Sequence, residues 1–194
     1  MRNLFRLAAG VNMTPLMVQI QRQSLWKADT YLRDYPQGPF EDVDTIFLRF
    51  PPASVTEMER DGRDPHECVW MDGSLHLPAA RALIFSLMHT VEGERLGRVM
   101  INRIRPGGRI FPHADTPLHA TYWDRFHYVV QSAPGVNFRV DEETVFMQTG
   151  ECWWFQNQLE HEVVNNSADD RIHLIVDIRC QYLSFRGELP TKPL

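Results

Sequence analysis

The chain has 194 residues, 43% of them hydrophobic, so it is long and apolar enough to bury a core as one domain. A formal net charge of −5 and scattered basic residues argue against nucleic-acid binding. The unpaired spacing of Cys68, Cys152 and Cys180 predicts free thiols in a reducing compartment. No apolar stretch approaches the roughly 20 residues of a membrane span, and the apolar start is too short for a signal peptide. We therefore expect a cytoplasmic protein.

The first half of the chain alternates helical patterns with proline-rich loops. Thr14-Pro15 predicts the start of a helix at 14–24, although alternating apolar residues there also fit a strand. Residues 45–50 have a strand pattern, and 52–73 are polar and irregular. Residues 78–91 carry one apolar stripe at helical spacing, and the glycine at position 93 is expected to end that helix.

The second half is a succession of short β-patterns separated by turn signals. We predict about eight strands, at 99–105, 110–115, 125–131, 136–140, 143–147, 151–155, 161–164 and 171–179. This count, in antiparallel order, is typical of a mainly β, cupin-like jelly roll, the double-stranded β-helix. We expect a single domain over 1–194, in which a helical and loop region at 1–97 packs on the larger sheet and 98–180 form the catalytic core.

Three side chains in this half offer metal ligands. His113 and Asp115 are two residues apart on a predicted strand, so both project from one face. His161 opens a later strand. Two imidazoles and one carboxylate leave one face of a ferrous ion open, as in non-haem iron oxygenases. Arg171 suits the distal carboxylate of a keto acid, so the four residues predict an Fe(II)/2-oxoglutarate-dependent oxygenase.

Four segments carry a resemblance to a known family. They are RPGGRIFPHAD at 105–115, Arg-x-His at 125–127, GECWWFQNQLEHEVVNNSADDR at 150–171 and IVDIR at 175–179. Together these motifs resemble the aspartyl/asparaginyl β-hydroxylase family of 2-oxoglutarate oxygenases.

The resemblance implies roles for individual residues. His113 and His161 would bind iron, and Arg171 would bind 2-oxoglutarate. The further cosubstrate contacts that it implies are Arg125, His127 and Asn102. Some members of the family have glycine where this chain has Asp115. The carboxylate at this position therefore favours a complete centre of two histidines and one carboxylate.

The implied reaction consumes dioxygen and 2-oxoglutarate, yields succinate and carbon dioxide, and hydroxylates an unactivated C–H bond. An aspartyl or asparaginyl side chain, a free amino acid or a similar small polar molecule would be the substrate, and no membrane partner is expected. Two alternatives stay open: a non-catalytic metal- or ligand-binding jelly roll, and a cupin-like metalloenzyme that needs no keto acid. The intact ligand set argues against the first, and Arg171 argues against the second.

Some prominent residues are interpreted as structural. In the pair Trp153 and Trp154, strand alternation should direct one ring into the core, and packing is favoured over a substrate cage. The loop at 115–124 stands beside the predicted metal and suits a substrate cover. Four histidines lack convergent partners in the sequence pattern and are expected at the surface or in the core: His66, His76, His89 and His173.

Overall fold

The computed structural model describes residues 3–28, 30–34 and 38–181, which form two antiparallel sheets and several short helices. The strands are β1 (Leu4–Ala8), β2 (Val43–Phe50), β3 (Val69–Trp70), β4 (Gly93–Ile104), β5 (Arg109–His113), β6 (Asp124–Gln131), β7 (Val136–Val140), β8 (Glu143–Val145), β9 (Cys152–Phe155), β10 (His161–Asn165) and β11 (Arg171–Cys180). The α-helices are α1 (Thr14–Arg22), α2 (Val55–Arg60), α3 (Gly73–His76), α4 (Ala79–Thr90) and α5 (Pro117–Ala120), and a 3-10 helix spans Leu25–Lys27.

The larger sheet has seven strands in the order β1-β9-β6-β11-β4-β2-β3, and the smaller sheet has four in the order β5-β10-β7-β8. Strands that are far apart in sequence are neighbours in both sheets, and all the pairings are antiparallel. This arrangement of two facing sheets is the jelly roll predicted from the strand pattern.

The N-terminal region contributes strands as well as helices. β1 pairs with β9, and β2 pairs with β4, so two strands from the first 50 residues extend the larger sheet. The expected boundary at residue 97 falls inside β4, which already begins at Gly93. The polar segment at 52–73, expected to be irregular, contains α2 and β3. Helix α2 begins with a capping box in which Ser54 and Glu57 bond reciprocally.

Two of the predicted helices cover the outer face of the larger sheet. Leu16 and Ile20 of α1, and Ile84 and Leu87 of α4, pack into one buried cluster with outward-facing residues of β4, β6 and β11. Burying one such side chain stabilises the folded state by about 1.5–3 kcal/mol relative to leaving it exposed to water. Helix α4 ends at Thr90, and the left-handed residue that follows is Glu92 with φ 51°.

The inner face of the larger sheet meets the smaller sheet across a second cluster. This cluster joins Val129, Trp153 and Phe155 of the larger sheet to Phe138 and Val163 of the smaller sheet. Since side chains alternate along a strand, the residues that do not face the helices face this interior. Polar residues of β6, β11 and β4 project into the same space, and they form the site described below.

No helix among residues 3–28, 30–34 and 38–181 is long and apolar enough to cross a membrane.

Candidate active site

Two histidines from neighbouring strands of the smaller sheet face one another. His113 ends β5 and is the register partner of His161, which begins β10. Their ring centroids are 4.3 Å apart. Asp115 follows two residues after β5 ends, and the candidate ligand atoms of the three residues lie within 4.8 Å of one another. The structure therefore brings the three sequence-predicted metal ligands together at one end of the smaller sheet.

Backbone carbonyls fix the orientation of both imidazoles. The Nδ1 atom of His113 lies 2.8 Å from the Phe111 oxygen, and that of His161 lies 2.9 Å from the Leu159 oxygen. A carbonyl only accepts, so each Nδ1 carries the proton and each Nε2 presents a lone pair. Burial lowers the pKa of both histidines. Both rings are thus neutral near pH 7, which is the state that binds a metal.

The third candidate ligand, Asp115, is held by a cation and an amide. Arg125 Nη1 lies 2.7 Å from Asp115 Oδ2, and Asn157 Nδ2 donates to the same oxygen at 3.2 Å. Burial alone would raise the pKa of Asp115, but Arg125 and His161 outweigh it and lower that pKa. The carboxylate is therefore ionised, and Oδ1 accepts in neither of these contacts.

The donor set fits Fe(II). Two imidazole nitrogens and one carboxylate oxygen, supplied from one side, match the facial triad that leaves coordination positions open. Backbone bonds to the far nitrogens of the rings are the outer support that such ligands ordinarily have.

Arg171 is a buried cation that meets no anionic partner in the described part of the chain. It lies on β11 with 1% of its surface exposed, and Nη2 donates to His173 Nδ1 at 2.9 Å. Its Nε and Nη1 atoms have no hydrogen-bond partner among the described residues. Burial lowers the pKa of Arg171 to about 9, which leaves the guanidinium charged at neutral pH. An unpaired buried charge is costly, so this position suits an incoming carboxylate.

Two histidines link Arg171 to the rest of the interior. His173 Nδ1 accepts a hydrogen bond from Arg171, so that nitrogen carries no proton. His127 Nδ1 lies 3.3 Å from the same nitrogen, and a hydrogen bond between the two requires the proton to be on His127 Nδ1. The Nε2 atoms of both histidines have no partner among the described residues. Burial, followed by the charge of Arg171, lowers the pKa of each ring well below its usual value. Asn102 lies beside His173 across the β4–β11 pair and accepts from Thr45 Oγ1 at 3.1 Å.

Arg125 lies in a different network from its motif partner His127. Its Nε and Nη2 atoms donate to the two carboxylate oxygens of Asp177 at 2.8 and 3.1 Å, while Nη1 reaches Asp115. His119 Nε2 also contacts Asp177, at 3.0 Å. Burial would raise the pKa of Asp177, but Arg125 and His119 reverse this and lower it strongly. The guanidinium of Arg125 is therefore already neutralised by two carboxylates.

Several residues of the site were not predicted from the sequence. His173, which was expected to be a surface or core histidine, contacts both Arg171 and His127. His173 follows Arg171 at the same two-residue spacing at which His127 follows Arg125, and this spacing could have predicted its place in the site. Asp177 could also have been predicted as a functional residue, because it is a charged residue within an apolar strand. Partners such as Asn157 and His119 come from loops and short helices, and no spacing rule identifies them.

The tryptophan pair packs on both sides of the larger sheet. Trp154 lies in the outer cluster, and Trp153 lies in the inner one, where its Nε1 donates to Glu151 at 2.8 Å. Both rings are buried, which agrees with packing. The loop at 115–124 contains helix α5, and its His119 points into the Asp177 network.

Similar folds occur in solved structures of oxygenases. An oxidoreductase of the 2OG-Fe(II) oxygenase family from Burkholderia pseudomallei has a TM-score of 0.54 and 14% identity, over 71% of this chain and 66% of that chain. The viral collagen prolyl hydroxylase of Paramecium Bursaria Chlorella virus-1, solved with 2OG, has a TM-score of 0.50 and 11% identity, over 92% of this chain and 96% of that chain. These likenesses show the shared fold. No curated protein matches the sequence of this chain.

A family match covers more than half of the sequence. Residues 70–180 match the profile described as aspartyl/asparaginyl beta-hydroxylase. This match confirms the resemblance found in the motifs, and with it the 2-oxoglutarate-dependent hydroxylase class and its requirement for Fe(II), 2-oxoglutarate and dioxygen. The chain belongs to the aspartyl/asparaginyl β-hydroxylase family.

Proposed function

We propose that this protein hydroxylates an unactivated C–H bond of an aspartyl or asparaginyl side chain, a free amino acid or a similar small polar substrate. The observation that carries this proposal is the pairing of two features in one interior. A three-ligand cluster lies at one end of the smaller sheet. The buried guanidinium of Arg171 lies on β11, and its Nε and Nη1 atoms have no partner among the described residues. A small molecule with a chelating end and a distal carboxylate, as 2-oxoglutarate has, complements both features.

In this proposal His113, Asp115 and His161 hold the metal. A bound ferrous ion supplies the activation of dioxygen and the coordination of the keto acid. The protein residues keep the imidazoles in the Nδ1-protonated form, keep the carboxylate ionised and hold all three donors on one side. These contacts hold the three ligand side chains in a fixed orientation that does not depend on the metal.

Arg171 is the proposed partner of the distal carboxylate. Its two free donor atoms allow a bidentate contact that a lysine ammonium would not reproduce. His173 fixes the guanidinium through Nη2, and His127 and Asn102 border the same space. Aromatic rings of Phe138 and Phe155 pack edge-on against His127, so this end of the interior is lined by apolar side chains.

For Arg125 we propose a positioning role in place of the expected direct contact with the cosubstrate. Its donors are already shared between Asp115 and Asp177. The Asp177 carboxylate fixes the guanidinium, and the guanidinium in turn fixes Asp115 Oδ2. This arrangement orients the carboxylate ligand from behind.

Succinate formation tests the proposed function. Purified protein with Fe(II), dioxygen and 2-oxoglutarate is offered aspartyl and asparaginyl peptides and free amino acids, and succinate and the mass of each candidate substrate are measured. We expect the mass of at least one candidate to rise by about 16 Da, the mass of one oxygen atom, and succinate to form in the same reaction. His161→Ala is the matched control because it removes one metal ligand. A wild-type protein that binds metal but forms no more succinate than His161→Ala would instead be a non-catalytic binding module.

A further inference from the structure

A second arginine, for which the described part of the chain supplies no anionic partner, lies on the inner face of β4. Arg98 follows the same alternation as Met100 and Asn102, while Val99 and Ile101 pack in the outer cluster. It makes no ion pair or hydrogen bond with residues 3–28, 30–34 or 38–181. Its guanidinium carbon lies 5.2 Å from the centroid of the Phe50 ring. A cation–aromatic contact leaves the donor groups of the guanidinium available.

Arg98 lines a small cleft. The side chains around this cleft include His66, Cys68, Thr116 and His119, and no acidic residue of the described chain lines it. Its free space is about 30 Å³. One water-sized atom needs about 10–15 Å³ of such free space, so the cleft has room for about two atoms of this size. That space matches the two oxygens of one carboxylate.

The cleft is close to the metal ligands. His119, in its wall, contacts Asp177 at 3.0 Å and Arg125 Nη2 at 3.0 Å. Arg125 then contacts the metal-ligand candidate Asp115 at 2.7 Å. Two successive side-chain contacts therefore connect the cleft to the cluster. A group bound in the cleft would therefore lie on the Arg125 side of the metal-ligand cluster.

The balance of charge distinguishes Arg98 from the neighbouring arginine. The charge of Arg125 is balanced by Asp115 and Asp177, which both contact it. No carboxylate among the residues that the structure describes contacts Arg98, whose guanidinium lies over the Phe50 ring. Burial lowers the pKa of Arg98 and the charge of Asp177 opposes this effect, and an arginine so placed stays protonated at neutral pH. A substrate anion would thus pair with a cation that has no anionic partner among the described residues.

We propose that Arg98 is the substrate-anion anchor of this protein, binding a carboxylate in the cleft beside His119 and thereby favouring acidic substrates over their amide counterparts. This inference rests on the proposed function, because it assigns the substrate class of that same site. It predicts an aspartyl side chain or free aspartate as the preferred ligand and disfavours asparaginyl groups.

Matched acid and amide probes test the anchor. The probes are acetyl-Gly-Asp-Gly-amide against acetyl-Gly-Asn-Gly-amide, and L-aspartate against L-asparagine. Dissociation constants are measured by calorimetry on protein loaded with Mn(II) and 2-oxoglutarate without dioxygen. Arg98→Gln and Arg98→Met each remove the charge, the latter keeping an apolar stem over Phe50. Arg105→Gln is the control, since it makes the same change of charge roughly 23 Å further along the strand direction.

We expect the wild-type protein to bind at least one acid about tenfold or more tightly than its amide, as a charged hydrogen bond allows. This preference should vanish in Arg98→Gln and Arg98→Met and persist in Arg105→Gln. A charge-free variant that keeps Mn(II) affinity is sufficient for the comparison. Two results would contradict the role of Arg98 as anchor without contradicting the proposed function. They are the absence of any acid preference in the loaded wild-type protein and an acid preference that survives loss of the charge at position 98. Failure of Mn(II) and 2-oxoglutarate to load the wild-type protein contradicts the proposed function instead.

Discussion

The negative charge of Asp115 serves two positive partners, the proposed metal and Arg125. As a candidate ligand it offers negative charge to a metal, and as a partner of Arg125 it neutralises a buried cation. Because Arg125 also pairs with Asp177, the carboxylate can share its charge without leaving the guanidinium unpaired. The residue is therefore tied to both the metal cluster and the ion-pair network behind it.

Replacing Asp115 tests whether the carboxylate is a ligand. Asp115→Gly keeps both imidazoles but removes the charge from the cluster. We expect the dissociation constant for Mn(II), measured by calorimetry, to rise by at least about 10–100-fold, the range typical of changes around metal ligands. Asp115→Asn, which keeps the shape, is expected to show a similar loss. Wild-type Mn(II) affinity in both variants would make Asp115 a bystander of a two-histidine centre.

His173 has no place in the motif resemblance, yet its contacts make it part of the proposed cosubstrate pocket. It accepts from Arg171 and bonds to His127. Replacing it with leucine removes the contact that fixes the guanidinium. We expect His173→Leu to weaken 2-oxoglutarate binding about tenfold, the equivalent of one charged hydrogen bond. Mn(II) affinity, measured on the same protein, should stay unchanged, and equal losses of both affinities would indicate general damage to the fold.

At the scale of single elements, β11 connects the two ends of the site. Arg171 opens the strand and Asp177 lies six residues further, roughly 20 Å away, and both face the interior. The apolar run between them predicted a strand covered on both faces, and the burial of β11 confirms this. Its pattern could not show that Asp177 meets Arg125, because that contact depends on the register with β6.

Removing one partner of this buried ion pair should destabilise the protein. Asp177→Asn leaves Arg125 with one carboxylate in place of two and weakens the contact to His119. We expect the free energy of unfolding, measured in urea, to fall by about 3–5 kcal/mol, as for other broken buried pairs. The exposed Asp169→Asn supplies the control, with an expected change within about 0.5 kcal/mol. Equal stability of the two variants would mean that the pair contributes nothing.

The same carboxylate predicts a dependence of stability on pH. The pKa of Asp177 is lower in the folded protein than its unfolded value of about 3.9. Its contribution is therefore fully present above about pH 4 and is lost as the pH falls further, by up to about 1.4 kcal/mol per pH unit. The difference in unfolding free energy between wild type and Asp177→Asn should shrink between about pH 4 and pH 3. A difference that grows in this interval would contradict the lowered pKa.

At the scale of the whole molecule, the jelly roll and its family could be predicted from the second half of the sequence. Alternation and turn signals located the strands from β4 to β11, and the histidine and arginine motifs identified the cluster. β1 was missed because a five-residue strand near an apolar start gives little signal, and its partner β9 lies about 150 positions later. The segment at 52–73 was missed because its short elements are set by capping and edge pairing.

In the proposed function, a metal cluster and Arg171 together bind 2-oxoglutarate inside this fold. Thermal unfolding of the protein with and without Mn(II) and 2-oxoglutarate tests it most directly, because a ligand that binds the native state raises the melting temperature. We predict that 2-oxoglutarate raises the melting temperature only when Mn(II) is present, and that His113→Ala abolishes both shifts. Arg171→Ala should keep the Mn(II) shift and lose the 2-oxoglutarate shift, with partial recovery in Arg171→Lys. A 2-oxoglutarate shift that needs no metal, or that persists undiminished in Arg171→Ala, would show that the metal cluster and Arg171 do not bind 2-oxoglutarate together.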